Sequence, residues 1–300
     1  MEHCGVRIAD PPPCDAAQPD GRRVLDANIA VHSRLAAEYD ATEPHFRPEN
    51  VAKVDAELRR LVERTNALSL LDLGCGTGFM INIAAKHVQR VVGVDATQAM
   101  LDRVSVRGPA RIELHCADTG AFNFDAGSFE IVTAYSFLHH LYDIAPTLRT
   151  AYRALRPGGV FYADLDPNFY FWQAVGRLDP DGAYHAVLAR EVAAVLHKDE
   201  EIQQRFDIAR DLFNDAEYGK NRLGGFREEE LRAALQAVGF SEIEVLYHWF
   251  PGQAQVIHDP LYSRHDGIRH AEICEAALRR LLPLTRHLFK YLRILAVKPR

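Results

Sequence analysis

With 300 residues, of which 48% are apolar and 25% charged, the chain can bury one large core or a core with a sizeable insertion. A formal charge of −6 gives no global attraction to phosphate backbones and argues against a nucleic-acid partner. Five cysteines, Cys4, Cys14, Cys75, Cys116 and Cys274, are odd in number and scattered, which argues for free thiols in a reducing compartment and against a zinc site or any other metal centre.

Met1 to Pro13 lacks a basic start followed by an apolar core, and no run approaches the length of a membrane span, so a cytoplasmic protein is expected. Residues 1–22 carry Pro11-Pro12-Pro13, Pro19 and Gly21 with little apolar patterning and read as a disordered lead. An amphipathic helix is expected from Asn28 to about Asp40, on Ile29, Val31, Leu35, Ala36 and Tyr39. A second is expected from Pro48 to Thr65, on Val51, Val54, Leu58, Leu61 and Val62. Residues 23–66 thus read as N-terminal lid helices.

The chain then reaches Leu70-Leu71-Asp72-Leu73-Gly74-Cys75-Gly76-Thr77-Gly78-Phe79, an apolar run holding one acid, three glycines at alternate positions, and helix-compatible residues beyond. That order reads as strand, tight turn, helix. Glycine is needed where φ is positive or where a ligand must touch the main chain, and the helix start would offer free N–H groups to a ligand. The segment resembles the first signature of class I S-adenosylmethionine-dependent methyltransferases, an acid, one residue, then Gly-x-Gly-x-Gly. The resemblance implies that Asp72 holds the ammonium of the methionine moiety and that Gly74, Cys75, Gly76 and Gly78 lie against its carboxylate and sulfonium. A dinucleotide fold would need Gly-x-Gly-x-x-Gly, and position 79 is Phe.

Val91 to Asp95 reads as the next strand. Asp95 falls near the spacing of about 20 residues at which the doubly wound fold places a ribose-binding acid, with Ala96 beside it; capping of a helix from Thr97 is the alternative. Ile112 to Asp118 reads as a third strand, and the resemblance implies that Asp118, with Thr119, meets the adenine amino group, where a plain turn is the alternative. Phe129 to Ala134 is a fourth strand, which delivers Tyr135 and the doublet His139-His140 to the carboxyl edge of the sheet. An aromatic on the lid is implied to touch the cofactor, and Tyr39 and Phe46 are the candidates, with core packing the alternative.

A helix from Asp143 to Ala154 is followed by Arg156-Pro157-Gly158-Gly159, read as a stop and sharp turn before a strand over Val160 to Asp164. Asp166-Pro167-Asn168 follow at the sheet edge, where they would face the acceptor. Residues 169–225 read as a helical cap, with helices over Ala183 to His197 and Glu200 to Phe213. Residues 226–300 complete the sheet, with a helix closed by Gly239, strands over Glu242 to Phe250 and Tyr291 to Lys298, and a helical insertion at 251–288. Arg269, Arg279, Arg280, Arg286 and Lys290 make that end basic, either as a solvated helix face or as a site for an anionic acceptor or partner.

The expected fold is therefore α/β: a doubly wound, mostly parallel seven-stranded sheet with lid helices and helical insertions around a cofactor-binding core at 67–168. The implied activity is methyl transfer from S-adenosylmethionine, leaving S-adenosylhomocysteine, by in-line displacement in a capped pocket. An activated sulfonium methyl demands alignment and exclusion of water more than covalent machinery. His139 and His140 are candidate bases, or else pocket wall, and His185 and His197 on the cap are weaker ones; the doublet has no third ligand at a metal-binding spacing. Ala134-Tyr135-Ser136-Phe137 stands where base-amine methylators carry Asn-Pro-Pro-Tyr, which argues for a small-molecule acceptor of specialised or lipid-quinone metabolism, with O-, N- or C-methylation open. A monomer or homodimer is expected. A nicotinamide-dependent oxidoreductase and a non-methylating S-adenosylmethionine-binding protein are the competing classes.

Overall fold

The computed structural model describes residues 20–106 and 108–300. The expected lead, except its last three residues, and Cys4 and Cys14 lie outside the described residues. Seven strands form one sheet: β1 (Ser69–Leu73), β2 (Arg90–Asp95), β3 (Arg111–Cys116), β4 (Phe129–Tyr135), β5 (Leu155–Pro167), β6 (Ser241–His248) and β7 (Tyr291–Val297). Their spatial order is β3-β2-β1-β4-β5-β7-β6; the first five run parallel and β7 is antiparallel to both neighbours.

Helices α1 (Gly21–Leu35), α2 (Tyr39–Thr42) and α3 (Pro48–Thr65) precede the sheet. Helices α4 (Phe79–Ala84), α5 (Gln98–Leu101) and α6 (Ala145–Ala154) connect its parallel strands. The cap is α7 (Phe169–Val175), α8 (Ala186–Leu196), α9 (Lys198–Phe206) and α10 (Arg210–Ala216). Then come α11 (Glu228–Val238), and α12 (Gln253–Ile257) and α13 (Arg264–Arg279) of the C-terminal insertion.

The central strands β1, β2, β4 and β5 are buried on both faces, so they read as near-continuous apolar runs, and successive side chains go to opposite layers. Leu71, Val92, Val132 and Phe161 pack with Leu148 of α6 and Leu231 and Leu235 of α11. Leu70, Val91, Ile131 and Tyr162 pack with Leu58 and Leu61 of α3 and Ile81 of α4. Each fully buried leucine here stabilises by roughly 1.5–3 kcal/mol relative to exposure.

Several boundaries depart from the sequence reading, three of them with a clear physical reason. The first helix starts at Gly21, not Asn28, because Asp20 caps it, its Oδ1 accepting from the Arg23 amide at 2.8 Å; it ends at Leu35, and Tyr39 begins a separate turn. The cap segment from Glu200 to Phe213 is not one helix: Asp207, at φ +52°, ends α9 before α10 begins. Arg156-Pro157-Gly158-Gly159 lies inside β5, where the register shifts between Phe129↔Leu155 and Ile131↔Val160.

Much of the basic C-terminal set is tied inward rather than offered to an anion. Arg279 pairs with Glu275 and donates to the Tyr247 carbonyl, Arg286 lies 3.4 Å over the Tyr170 ring, and Lys290 pairs with Glu191 at 2.6 Å. The lid has a small core of its own, in which Ala27 and Val31 of α1 pack on Ile202, Ile208, Phe213 and Ala216 of the cap. Chain order reverses between β1 and β4, so the crevice outside their carboxyl ends is where an open α/β sheet takes a ligand.

Candidate functional site

Two cavities meet in that crevice. The first, about 480 Å³, is lined by β1, β2 and the turns after them, by the segment after β4, and by Val24, Leu25, Asn28 and His32 of α1. The second, about 410 Å³, lies between the lid, the cap and the carboxyl end of β5. His32, Tyr39, His45, Ser136 and His140 belong to both linings and form the shared wall.

Asp72 is buried on β1 opposite Thr133, whose hydroxyl donates to Oδ1 at 2.6 Å. Burial pushes its pKa up to about 7, helped by the charge of Asp95, and the Thr133 hydrogen bond only partly opposes this. A carboxylate held that way gains most from a cationic partner, which the ammonium of S-adenosylmethionine supplies.

The turn is built for close approach. Gly74 stands at φ +71°, and a Cβ there would fall 2.0 Å from the Phe137 ring, so no other residue fits. Most amides of the turn itself are spent within the fold. Those of Gly74 and Cys75 donate to the Val94 carbonyl, that of Gly76 to Asp95 Oδ2 at 2.9 Å, and that of Gly78 to the Cys75 carbonyl. With α4 only six residues long, the turn is poorly equipped for a diphosphate and well suited to a ligand touching the turn itself.

Asp95 combines both roles weighed for it. Its Oδ1 accepts from the Thr97 amide at 2.8 Å and its Oδ2 from Gly76, which locks the carboxylate against the first cavity; each oxygen keeps a second lone pair for a ribose hydroxyl. Asp118 accepts from the Gly120 amide at 2.8 Å, and the Thr119 hydroxyl is paired with Thr147 at 2.9 Å, so Thr119 offers the cavity wall rather than a free hydroxyl. Tyr39, Cys75, Ala96, Gly76 and Tyr135 also line the first cavity, whereas Gly78 does not and serves to start α4 at φ +93°.

The fold brings the remaining candidates to the second cavity. His139 Nδ1 lies 3.0 Å from Asp166 Oδ1, which also accepts the His139 amide at 3.1 Å. Burial lowers the His139 pKa to about 4, against a raising influence of Glu217, and burial pushes Asp166 up. His139 is therefore neutral near pH 7, with Nδ1–H on Asp166 and Nε2 left to accept. His140 is also held well below its usual pKa by burial; its Nδ1 donates to the Ala216 carbonyl at 2.9 Å.

Other residues singled out in the sequence lie elsewhere. His185 caps α8, His197 sits beside Glu200, and neither lines either of the two cavities. Asp166 backs His139 and Pro167 lines the second cavity, while Asn168 holds the carbonyls of Arg286 and Phe289. Sequence reasoning missed His32, His45, Glu217 and Lys220, which no local pattern marks. It also missed a latch between lid and turn, the Thr77 hydroxyl donating to Asp40 Oδ1 at 2.5 Å.

A methyltransferase-domain family model matches residues 71–163, the stretch that holds the acid, the glycine turn and the histidine doublet. A Mycolicibacterium smegmatis protein ascribed S-adenosylmethionine-dependent methyltransferase activity is 28% identical over 77% of this chain and 80% of its own. The chain is a class I S-adenosylmethionine-dependent methyltransferase. The nocamycin O-methyltransferase of Saccharothrix syringae is 36% identical to this methyltransferase over 55% of the chain and 60% of its own length. The ubiquinone biosynthesis O-methyltransferase of Coxiella burnetii is 30% identical over 36% of the chain, and the match spans about half of that relative, 48%. In fold, the methyltransferase is similar to phosphoethanolamine N-methyltransferase 2 of Haemonchus contortus solved with S-adenosyl-L-methionine. That likeness has a TM-score of 0.53 at 18% identity, over 94% of this chain and 60% of the other.

Among the described residues, no helix is long and apolar enough to cross a membrane, and Cys75, Cys116 and Cys274 are free thiols.

Proposed function

We propose that this methyltransferase acts on a small molecule bound in the second cavity, with the cofactor in the first. The observation that carries this reading is the pair of cavities joined by one wall of His32, Tyr39, His45, Ser136 and His140. The second is of a size for a metabolite and enclosed by lid and cap, a poor entry for a polymer. The net charge of −6 and the small-molecule names of two relatives support the same reading.

When bound, S-adenosylmethionine supplies an electrophilic methyl on a sulfonium. Asp72 pairs with the ammonium, Asp95 accepts from the ribose hydroxyls, and Asp118 and Thr119 flank the adenine end. Gly74, Cys75 and Gly76 give the close surface, and Tyr39, Ala96 and Tyr135 wall it. Alignment and exclusion of water then lower the barrier without a covalent enzyme intermediate. His139 Nε2 takes the proton released by an acceptor hydroxyl or ammonium, and Asp166 fixes the ring and its tautomer as a positioning residue. His140, whose Nδ1 is spent on Ala216, orients the wall.

Incubation with methyl-labelled S-adenosylmethionine and a metabolite extract, followed by mass spectrometry, tests the reading. Label in a low-molecular-weight product is the expected result. Label confined to protein or nucleic acid, or in no product at all, overturns it.

A further inference from the structure

A buried cluster in the shared wall is not accounted for by the roles above. His32 from α1, His140 from the turn after β4, and Glu217 from the end of α10 come together from distant parts of the chain, and all three are buried. Each offers a donor atom within 4.8 Å of those of the other two. Ligands around a tetrahedral zinc stand about 3.4 Å apart, so a shift of about 1 Å in each side chain would close the set around an ion.

The surroundings are those of metal ligands. In the His32 ring Nδ1 carries a hydrogen, because its partner at 3.0 Å is the Asn28 carbonyl, which can only accept. The same holds for His140, whose Nδ1 donates to the Ala216 carbonyl. Both ring lone pairs therefore lie on Nε2, and among the described residues no hydrogen bond reaches either Nε2. A backbone carbonyl on the second ring nitrogen is the arrangement that orients metal-bound histidines and fixes their tautomer. Asn28 stiffens it further, its Nδ2 donating to the carbonyls of both His140 and Ala216 at 3.2 and 3.0 Å.

Glu217 stands where its carboxylate faces both the Lys220 ammonium and the His140 ring, with Oε1 lying 3.7 Å from His140 Nδ1. Lys220 occupies Oε2, which leaves Oε1 for an ion, and a ligating carboxylate commonly has such an outer partner. Two imidazoles and a carboxylate are the donor set of zinc-class catalytic sites, and they disfavour magnesium or calcium, which take oxygen ligands.

We propose that His32, His140 and Glu217 bind one divalent transition ion of the zinc class in the wall between the two cavities, with its remaining positions available to an oxygen donor of the acceptor. Such an ion would acidify and orient a bound hydroxyl, whose proton His139 Nε2 can then take. That task rests on the methyl-transfer reading; the binding site does not.

The test is titration of the chelator-stripped chain with Co²⁺, whose visible absorption reports imidazole and carboxylate ligation, and then displacement by Zn²⁺. One equivalent of Co²⁺ should bind and be displaced by Zn²⁺ but not by Mg²⁺. His32→Gln and Glu217→Gln should each weaken it at least about tenfold, while calorimetry shows S-adenosylhomocysteine still binding. Should His32→Gln also lose that ligand, Glu217→Gln, which lies outside the first cavity, decides. No saturable Co²⁺ spectrum, or one that survives Glu217→Gln, overturns the site. If it is overturned while S-adenosylhomocysteine binding and methyl transfer persist, the methyltransferase reading stands.

Discussion

The two cavities are built in different ways. The floor of the first is made by residues near one another in sequence, a strand end and the turn after it, whose Gly74, Cys75 and Gly76 amides donate to Val94 and Asp95 of β2, while α1 and the segment after β4 close it over. The second is assembled from α1, the turn at 138–140, the carboxyl end of β5 and the end of α10, and held by side chains such as Asn28 and Asp166. A cradle carried by the sheet is rigid and local, whereas a chamber made of lid and cap can change with the insertions. One half of the site can thus serve a common cofactor while the other suits a particular acceptor.

The largest effect that breaks this contrast is expected at Gly74. Gly74→Val places a branched side chain at φ +71° against Phe137, and should abolish S-adenosylhomocysteine binding and cost about 3 kcal/mol or more in a denaturant titration. His139→Gln comes next. It should lower kcat by about 10²–10⁴-fold and leave cofactor affinity unchanged, since His139 lines the second cavity but not the first. Because its pKa lies at about 4 rather than 6.5, the wild-type rate should hold down to about pH 5 and fall below that as Nε2 is protonated.

Asp72→Asn should weaken S-adenosylhomocysteine binding by about 10–100-fold, the worth of a charge-assisted contact. The sign on stability is opposite. A carboxyl raised from 3.8 to about 7 in the folded chain opposes folding once the unfolded chain has ionised. Its full penalty is present above pH 7, up to about 4 kcal/mol, and vanishes as pH falls towards 4. Ligand-free Asp72→Asn should therefore melt above the wild type at pH 8 and level with it near pH 4. Thr77→Val, which removes the latch to Asp40, is the smallest change: about 1 kcal/mol and a few-fold loss of cofactor affinity by calorimetry.

The same contrast explains what was legible in the sequence. The strand and glycine turn from Leu70 to Gly78 could be read because each residue's task is set by its immediate neighbours. Helix α3 was equally plain, with Pro48 in its first turn and Asn66 in the left-handed region at its end. The start of α1 was hidden because Asp20 and Gly21 follow a proline-rich stretch with little apolar patterning. The break at Asp207 was hidden because a non-glycine residue there adopts φ +52° only in its tertiary setting. His32 and Glu217 could not be joined to His140 from spacing, since only the packing of α1 on α10 brings them together.

The central claim, separate cavities for cofactor and acceptor, is tested most directly by calorimetric titration of S-adenosylhomocysteine into the wild type, Asp72→Asn and His139→Gln, at pH 6 in two buffers of different ionisation enthalpy. One site in the wild type, with a proton released as Asp72 ionises, a markedly weaker site without that release in Asp72→Asn, and wild-type affinity in His139→Gln is the result the account requires. Binding undiminished by Asp72→Asn, or lost with His139→Gln, would contradict it.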